Sequence, residues 1–265
     1  MFTWKKKLFY WLLFASSILF SSIIYAENSI RIPILCYHNF NPKIPGSMTM
    51  TPEKFEAEIK WLKENGFTFV PLKDVVAYLL GKRESLPAKP IVVSADDGWK
   101  SAYTYMYPIV KKYNIPVTLF IYPQAIASSK NKMTWEELKE LQGTGLFDIQ
   151  GHTYTHPNFK QDKRRLSAAN FEKYVKHELY DSKKILEEKM GTPVTLLAWP
   201  FGIYNDYLEQ QAAKAGYVMA FSIDDRKADT HDKPMAQPRF MILQGLTMKT
   251  FAAKMGGAAI KSASQ

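Results

Sequence analysis

From residue 30 onward, short apolar runs alternate with amphipathic stretches along the chain. The runs at 30–36, 68–72, 90–95, 117–122, 147–150, 194–199, 217–223 and 240–243 read as strands. They are rich in Val, Ile and Phe, and several stay apolar at successive positions, as strands buried on both faces do. The stretches between them carry helix punctuation. Thr51-Pro52-Glu53 supplies an N-cap, a proline in the first turn and an early acid, and Gly66 closes that helix. Thr134-Trp135-Glu136-Glu137 spells a capping box. Residues 167–190 read as one long helix stopped by Gly191, and another helix runs from Asn205-Asp206 to Gly216.

Strands and helices alternating at this spacing predict an α/β fold. Its simplest form is a single distorted (β/α) barrel of about seven to eight parallel strands. A doubly wound open sheet is the alternative, but no Gly-x-Gly-x-x-Gly follows the first strand, so a dinucleotide site has no support. No Pro/Gly/Ser linker divides the chain. Residues 27–255 are therefore expected as one domain, with 256–265 as a tail.

The first 26 residues have a different pattern. MFTWKKK is a positive start, residues 8–24 carry no charge, and Tyr25-Ala26 precedes Glu27. This is the order of a secretory signal with Ala26 as the last residue removed, and the apolar stretch is long enough to leave an uncleaved N-terminal anchor as the alternative. Either reading places the rest outside the cytoplasm: periplasmic, envelope-associated or secreted. Without Lys5, Lys6 and Lys7 the formal charge falls from +10 to +7. The remaining lysines are scattered and no nucleic-acid motif accompanies them, so nucleic acid is discounted and an anionic envelope or polymer suits the charge better. Cys36 is the sole cysteine, so an exported fold has no internal disulfide and stands on its core alone, and a monomer is expected.

Four motifs fall just past strand ends. Ser94-Ala95-Asp96-Asp97-Gly98 places two carboxylates side by side at the end of an apolar strand. Successive strand residues point opposite ways, so one acid can hold a cation while its neighbour stays free. His152-Thr153-Tyr154-Thr155-His156 carries two of the five histidines, four apart. On one helical turn their Cβ atoms would lie about 5–6 Å apart, which suits two imidazoles on one metal. With Asp97 they make three protein ligands and an open position, the pattern of a catalytic zinc. Thr153 and Thr155 are expected to support the ligands. Trp199-Pro200-Phe201-Gly202 offers aromatic faces for a sugar and a backbone N–H, and Tyr37-His38 follows the first strand. In parallel βα barrels the active site is assembled on the rim at the strands' C-terminal ends, where all four motifs would meet.

In this order the motifs resemble those of the polysaccharide deacetylases, the NodB-homology or carbohydrate esterase 4 family, which read roughly T-F-D-D-G, H-[ST]-x-x-H and R-x-P-[YF]-G. The resemblance spans about residues 32–255. It implies removal of acetyl groups from a polysaccharide with the help of a divalent metal, zinc first, with cobalt, nickel or manganese as alternatives. Asp97, His152 and His156 would hold the metal and Asp96 would be the general base. Tyr37, Trp199, Pro200, Phe201 and Gly202 would contact substrate or the oxyanion.

Two departures stand out. Ala198 replaces the motif arginine, and the stretch 239–244 lacks the late histidine that many members use as acid. The pattern is similar to that of poly-N-acetylglucosamine and envelope deacetylases. Arg239 is accordingly expected to partner Asp96, and His38 to enter the pocket as substrate ligand or acid. The expected substrate is a β-linked N-acetylglucosamine polymer, exopolysaccharide or peptidoglycan. An acetylxylan-type O-esterase and an inactive carbohydrate-binding member of the fold are the alternatives.

Overall fold

The computed structural model describes residues 30–44 and 46–256. The expected leader over 1–26 and the tail beyond Gly256 lie outside the described residues. Eight strands build the main sheet: β1 (Ile34–Tyr37), β2 (Thr68–Phe69), β3 (Pro90–Asp96), β4 (Val117–Ile121), β5 (Phe147–Gly151), β6 (Leu196–Ala198), β7 (Met219–Phe221) and β8 (Phe240–Met241). Their order is β8-β1-β3-β4-β5-β6-β7, all neighbours run parallel, and β2 pairs with the start of β3. The last gap is partly bridged: Ser222 N–H donates to the Gln237 carbonyl at 2.8 Å, and Gln237 N–H to that of Ala220 at 2.9 Å. The sheet is thus a curled half-barrel of the distorted (β/α) type.

The helices form where their punctuation places them. Thr51 caps α1 (Pro52–Glu64) through the Lys54 N–H, and the Thr134–Glu137 capping box starts α4 (Trp135–Gly143) with both of its bonds made. Between these come α2 (Leu72–Leu79) and α3 (Tyr107–Tyr113), and after them a short α5 (Phe159–Arg165). The stretch expected as one long helix is α6 (Ala168–Lys176) and α7 (Ser182–Met190), joined by a π-helical turn over His177–Asp181. Asn205 caps α8 (Asp206–Lys214), and α9 (Met248–Met255) ends at Gly256.

Five strands, β1, β2, β6, β7 and β8, are at least two residues shorter than the apolar runs predict. Pro71 ends the 68–72 run, so Leu72 already belongs to α2. The first run pairs in the main sheet only from Ile34, while Ile32 bridges antiparallel to Ala228.

Side-chain alternation sorts the sheet into two compartments. Leu35, Tyr37, Val93, Ala95, Leu119, Ile149, Leu197 and Trp199 join the core shared with Phe55, Ile59, Leu138, Val175 and Leu186 of the helices. The opposite phase, including Cys36, Ser94, Asp96, Phe120, Gln150 and Phe221, faces the inside of the curl. There Phe120 and Phe221 pack at 5.7 Å between ring centroids. Ala95, where the family motif has an aromatic, is the register partner of Tyr37 on β1.

Each strand leaves the rim by a tight turn, and the turn after β6 is the most constrained. Phe201 (φ 57°) and Gly202 (φ 66°) are both left-handed. A Cβ on Gly202 would stand 2.5 Å from Ile223 Cγ1. Gly202→Ala should lower stability by about 1–3 kcal/mol, read as a lower urea midpoint; an unchanged midpoint would show that the turn is not bound to this geometry.

Candidate active site

Asp96 is the last residue of β3 and is buried, with its carboxylate inside the curl. Arg239, just ahead of β8 and fully buried, meets it side-on. Nη1 donates to Oδ1 at 2.9 Å and Nη2 to Oδ2 at 2.8 Å. The guanidinium is fixed in turn: Nε donates to the Ser222 carbonyl at 3.1 Å, Nη1 reaches Ser94 Oγ at 3.4 Å, and its carbon lies 5.1 Å from the Phe120 ring centre. A forked bond of this kind fixes the plane of the carboxylate as well as its charge. Burial alone would raise the Asp96 carboxyl, but the charge and hydrogen bonds of Arg239, together with the charges of His152 and His38, hold the group below the ordinary carboxylate range.

Asp97 leaves the strand with φ 76°, so the backbone turns at the acid itself. Its Oδ2 accepts from Trp99 Nε1 at 3.1 Å, and its carbonyl accepts from Lys132 Nζ at 2.9 Å. The ammonium of Lys132 lies over the Trp99 ring at 3.6 Å. Asp97 Oδ1 is buried, has no hydrogen-bond partner, and stands 3.5 Å from His152 Nε2 and 3.5 Å from His156 Nε2. Ligand atoms sharing one tetrahedral ion at its ordinary bond lengths stand about 3.4 Å apart. The two Asp97 edges therefore suit a zinc-like ion, and all three ligand atoms lie within 4.8 Å of one another.

The two histidines reach that geometry by an unexpected route. Residues 152–156 form no helical turn: Thr153 (φ 64°) and His156 (φ 62°) are left-handed, and the loop folds back on itself. Glu178, buried in the π-helical turn, holds the loop. Its Oε2 accepts the N–H groups of Tyr154 and Thr155, both at 2.9 Å, and its Oε1 accepts the Thr155 hydroxyl at 2.7 Å. Ser182 donates to the Thr153 carbonyl at 2.7 Å. Thr155 thus anchors the loop through its hydroxyl and Thr153 through its carbonyl, while the Thr153 hydroxyl is buried without a hydrogen-bond partner. His152 Nδ1 donates to the Ala198 carbonyl at 2.7 Å, which fixes the tautomer and presents Nε2 to Asp97. Burial pushes His156 down to about 4, the neutral form that a ligand requires. Burial would also lower His152, but the nearby carboxylates of Asp97 and Asp96 raise it. Two carboxylates here demand positive charge; Arg239 supplies it to one only.

His38 follows β1 and is half-buried, with Nδ1 4.0 Å from Cys36 Sγ. Phe201 is exposed on the rim with its ring 4.6 Å from that of His156, edge to face, and Pro200 is buried behind it. Gly202 N–H is used within the turn, on the Trp199 carbonyl.

Two expected substrate residues lie elsewhere. Trp199 is buried in the outer core against Phe159 and donates Nε1 to the Met235 carbonyl at 2.8 Å, so it presents no face to a sugar. Tyr37 is fully buried against Phe55 and donates its hydroxyl to Glu58 at 2.9 Å. Both occupy the outward phase of their strands.

Sequence reasoning missed Glu178, Trp99, Lys132 and the contact of Cys36 Sγ with Asp96 Oδ2 at 3.3 Å. Glu178 sits mid-helix with no local signal. Trp99 and Cys36, by contrast, adjoin motifs already in view.

Comparison with known proteins places this geometry. The family model for polysaccharide deacetylase matches residues 83–220. The poly-beta-1,6-N-acetyl-D-glucosamine N-deacetylase of Staphylococcus aureus is 30% identical over 199 residues, 73% of this chain and 68% of that one. The Streptococcus pyogenes deacetylase PplD, solved in complex with acetate, superposes with a TM-score of 0.77 at 24% identity over 86% of this chain and 99% of its own. IcaB from Ammonifex degensii gives 0.72 at 23% identity over 85% and 96%. The match to half of the chain and the likeness to the staphylococcal enzyme agree with the arrangement of acids and histidines: the chain belongs to the polysaccharide deacetylases, hydrolases of the NodB-homology, carbohydrate esterase 4 family that act on acetylated polysaccharide.

Proposed function

We propose that the chain is an exported, metal-dependent N-deacetylase of a β-linked N-acetylglucosamine polymer, with exopolysaccharide favoured over peptidoglycan. One observation carries the chemistry: Asp97 Oδ1 is equidistant from two imidazole nitrogens and otherwise unpartnered, while the adjacent Asp96 is engaged by Arg239. The polymer follows from likeness to an enzyme named for it, and export from the leader-like pattern of residues 1–26.

Asp97, His152 and His156 would hold the divalent cation, which supplies a Lewis acid and an acidified water beside the substrate. The chain's own groups do the rest. Asp96 takes the proton of the attacking water. Arg239 keeps that carboxylate ionised and in one plane, so the basic lone pair points to one place. The positive charge of Arg239 leaves Asp96 a weak base, suited to a water that is already acidified. The backbone N–H of Phe201, in the left-handed turn at the rim, would donate to the developing oxyanion. The Phe201 ring offers a sugar-stacking face beside His156. His38 protonates the departing amine or binds the sugar beside it, which fills the role left by the missing late histidine.

Acetate release from poly-β-1,6-N-acetylglucosamine, peptidoglycan and acetylxylan, with and without chelator, tests the reading. Release from an N-acetylglucosamine polymer, abolished by chelator and restored by zinc or cobalt, is expected. Release from acetylxylan alone would replace the reading with an O-esterase, and a metal-loaded chain inert on all three would make it a binding protein. Arg239→Lys retains the charge but cannot make the fork. It should lower kcat about 10²-fold with metal content and KM little changed; a wild-type rate would remove Arg239 from the catalytic arrangement.

A further inference from the structure

Beside the Asp97 ligand set, a second group of donor atoms converges. Cys36 Sγ, His38 Nδ1 and a carboxylate oxygen of Asp96 lie within 4.8 Å of one another. The sulfur is 3.3 Å from Asp96 Oδ2 and 4.0 Å from His38 Nδ1. A tetrahedral ion bound by thiolate, imidazole and carboxylate at ordinary lengths needs sulfur-to-ligand edges of about 3.6 Å. The two separations bracket that value. Cys36 and Asp96 are buried while His38 is half-buried, so an ion would enter along the imidazole.

We propose that Cys36, His38 and Asp96 form a second, inhibitory cation site, selective for thiophilic divalent ions such as cadmium or excess zinc. On binding, the thiol releases its proton to solvent and the thiolate takes the ion. The ion shares Asp96 Oδ2 with Arg239 Nη2, which already donates to it at 2.8 Å. That competition makes this site weaker than the one at Asp97, where Oδ1 has no partner. The sulfur compensates only for soft or borderline ions, so magnesium and calcium are excluded. Occupancy engages the base and His38 together. The inhibitory consequence rests on the roles proposed for those two residues; the binding does not.

Cys36 is the only cysteine, so a thiolate-to-cadmium charge-transfer absorption in the ultraviolet reports this residue alone. The test titrates cadmium into the zinc-loaded chain while absorption, bound metal and acetate release are followed. The expected result is a band that saturates at one cadmium per chain, is absent in Cys36→Ser, and needs about 10- to 100-fold more cadmium in His38→Ala. Half-inhibition, relative to each protein's own uninhibited rate, should likewise need at least about 10-fold more cadmium in Cys36→Ser. Cadmium bound with no such band, or equal inhibition of wild type and Cys36→Ser, would overturn the proposal. A band in a chain that releases no acetate would keep the site and discard the enzymatic reading.

Discussion

Two adjacent carboxylates at one strand end, Asp96 buried and Asp97 half-buried, cannot share a single source of positive charge, and the architecture of the rim follows from that constraint. Removing an ion from water is expensive unless it is paired and hydrogen-bonded. Asp96 is compensated by a guanidinium that arrives from the far end of the chain, by way of β8. Asp97 is turned away by its left-handed backbone toward two imidazoles and has one oxygen left unpartnered. The two acids are thus made chemically different: one is held in a fork by Arg239, and the other keeps an oxygen free between two imidazoles.

The scaffold delivers these groups by simple means. β1, β3 and β8 are neighbours in the sheet, which brings Cys36, Asp96 and Arg239 together inside the curl. β5 and β6 adjoin on the other side of β4, which lets the Ala198 carbonyl orient His152. The absent motif arginine at position 198 and the buried Arg239 are two parts of one exchange: the guanidinium moves to another strand while the backbone at 198 keeps its hold on the histidine.

Much of this was legible in the residues. Apolar runs and caps placed the strands and most helices, because burial on both faces and N-cap hydrogen bonds are local constraints. Asp96, Asp97, His152, His156 and Arg239 could be nominated because charged groups beside apolar strands need a reason. Other features depended on information no local pattern holds. Tyr37 and Trp199 are displaced from the site by a strand phase of one residue. The loop 152–156 takes its left-handed turns at Thr and His rather than Gly, held by Glu178 about twenty-three residues onward, so helical spacing was the wrong model for the right pair. The shorter β1, β2, β6, β7 and β8 reflect pairing limits that composition does not show.

The division of labour between the two acids is tested most directly by measuring bound metal and acetate release side by side on Asp96→Asn and Asp97→Asn, each loaded with zinc. The account predicts that Asp96→Asn keeps about one metal ion per chain and loses turnover, whereas Asp97→Asn loses both. Loss of metal in Asp96→Asn with retention in Asp97→Asn would contradict it.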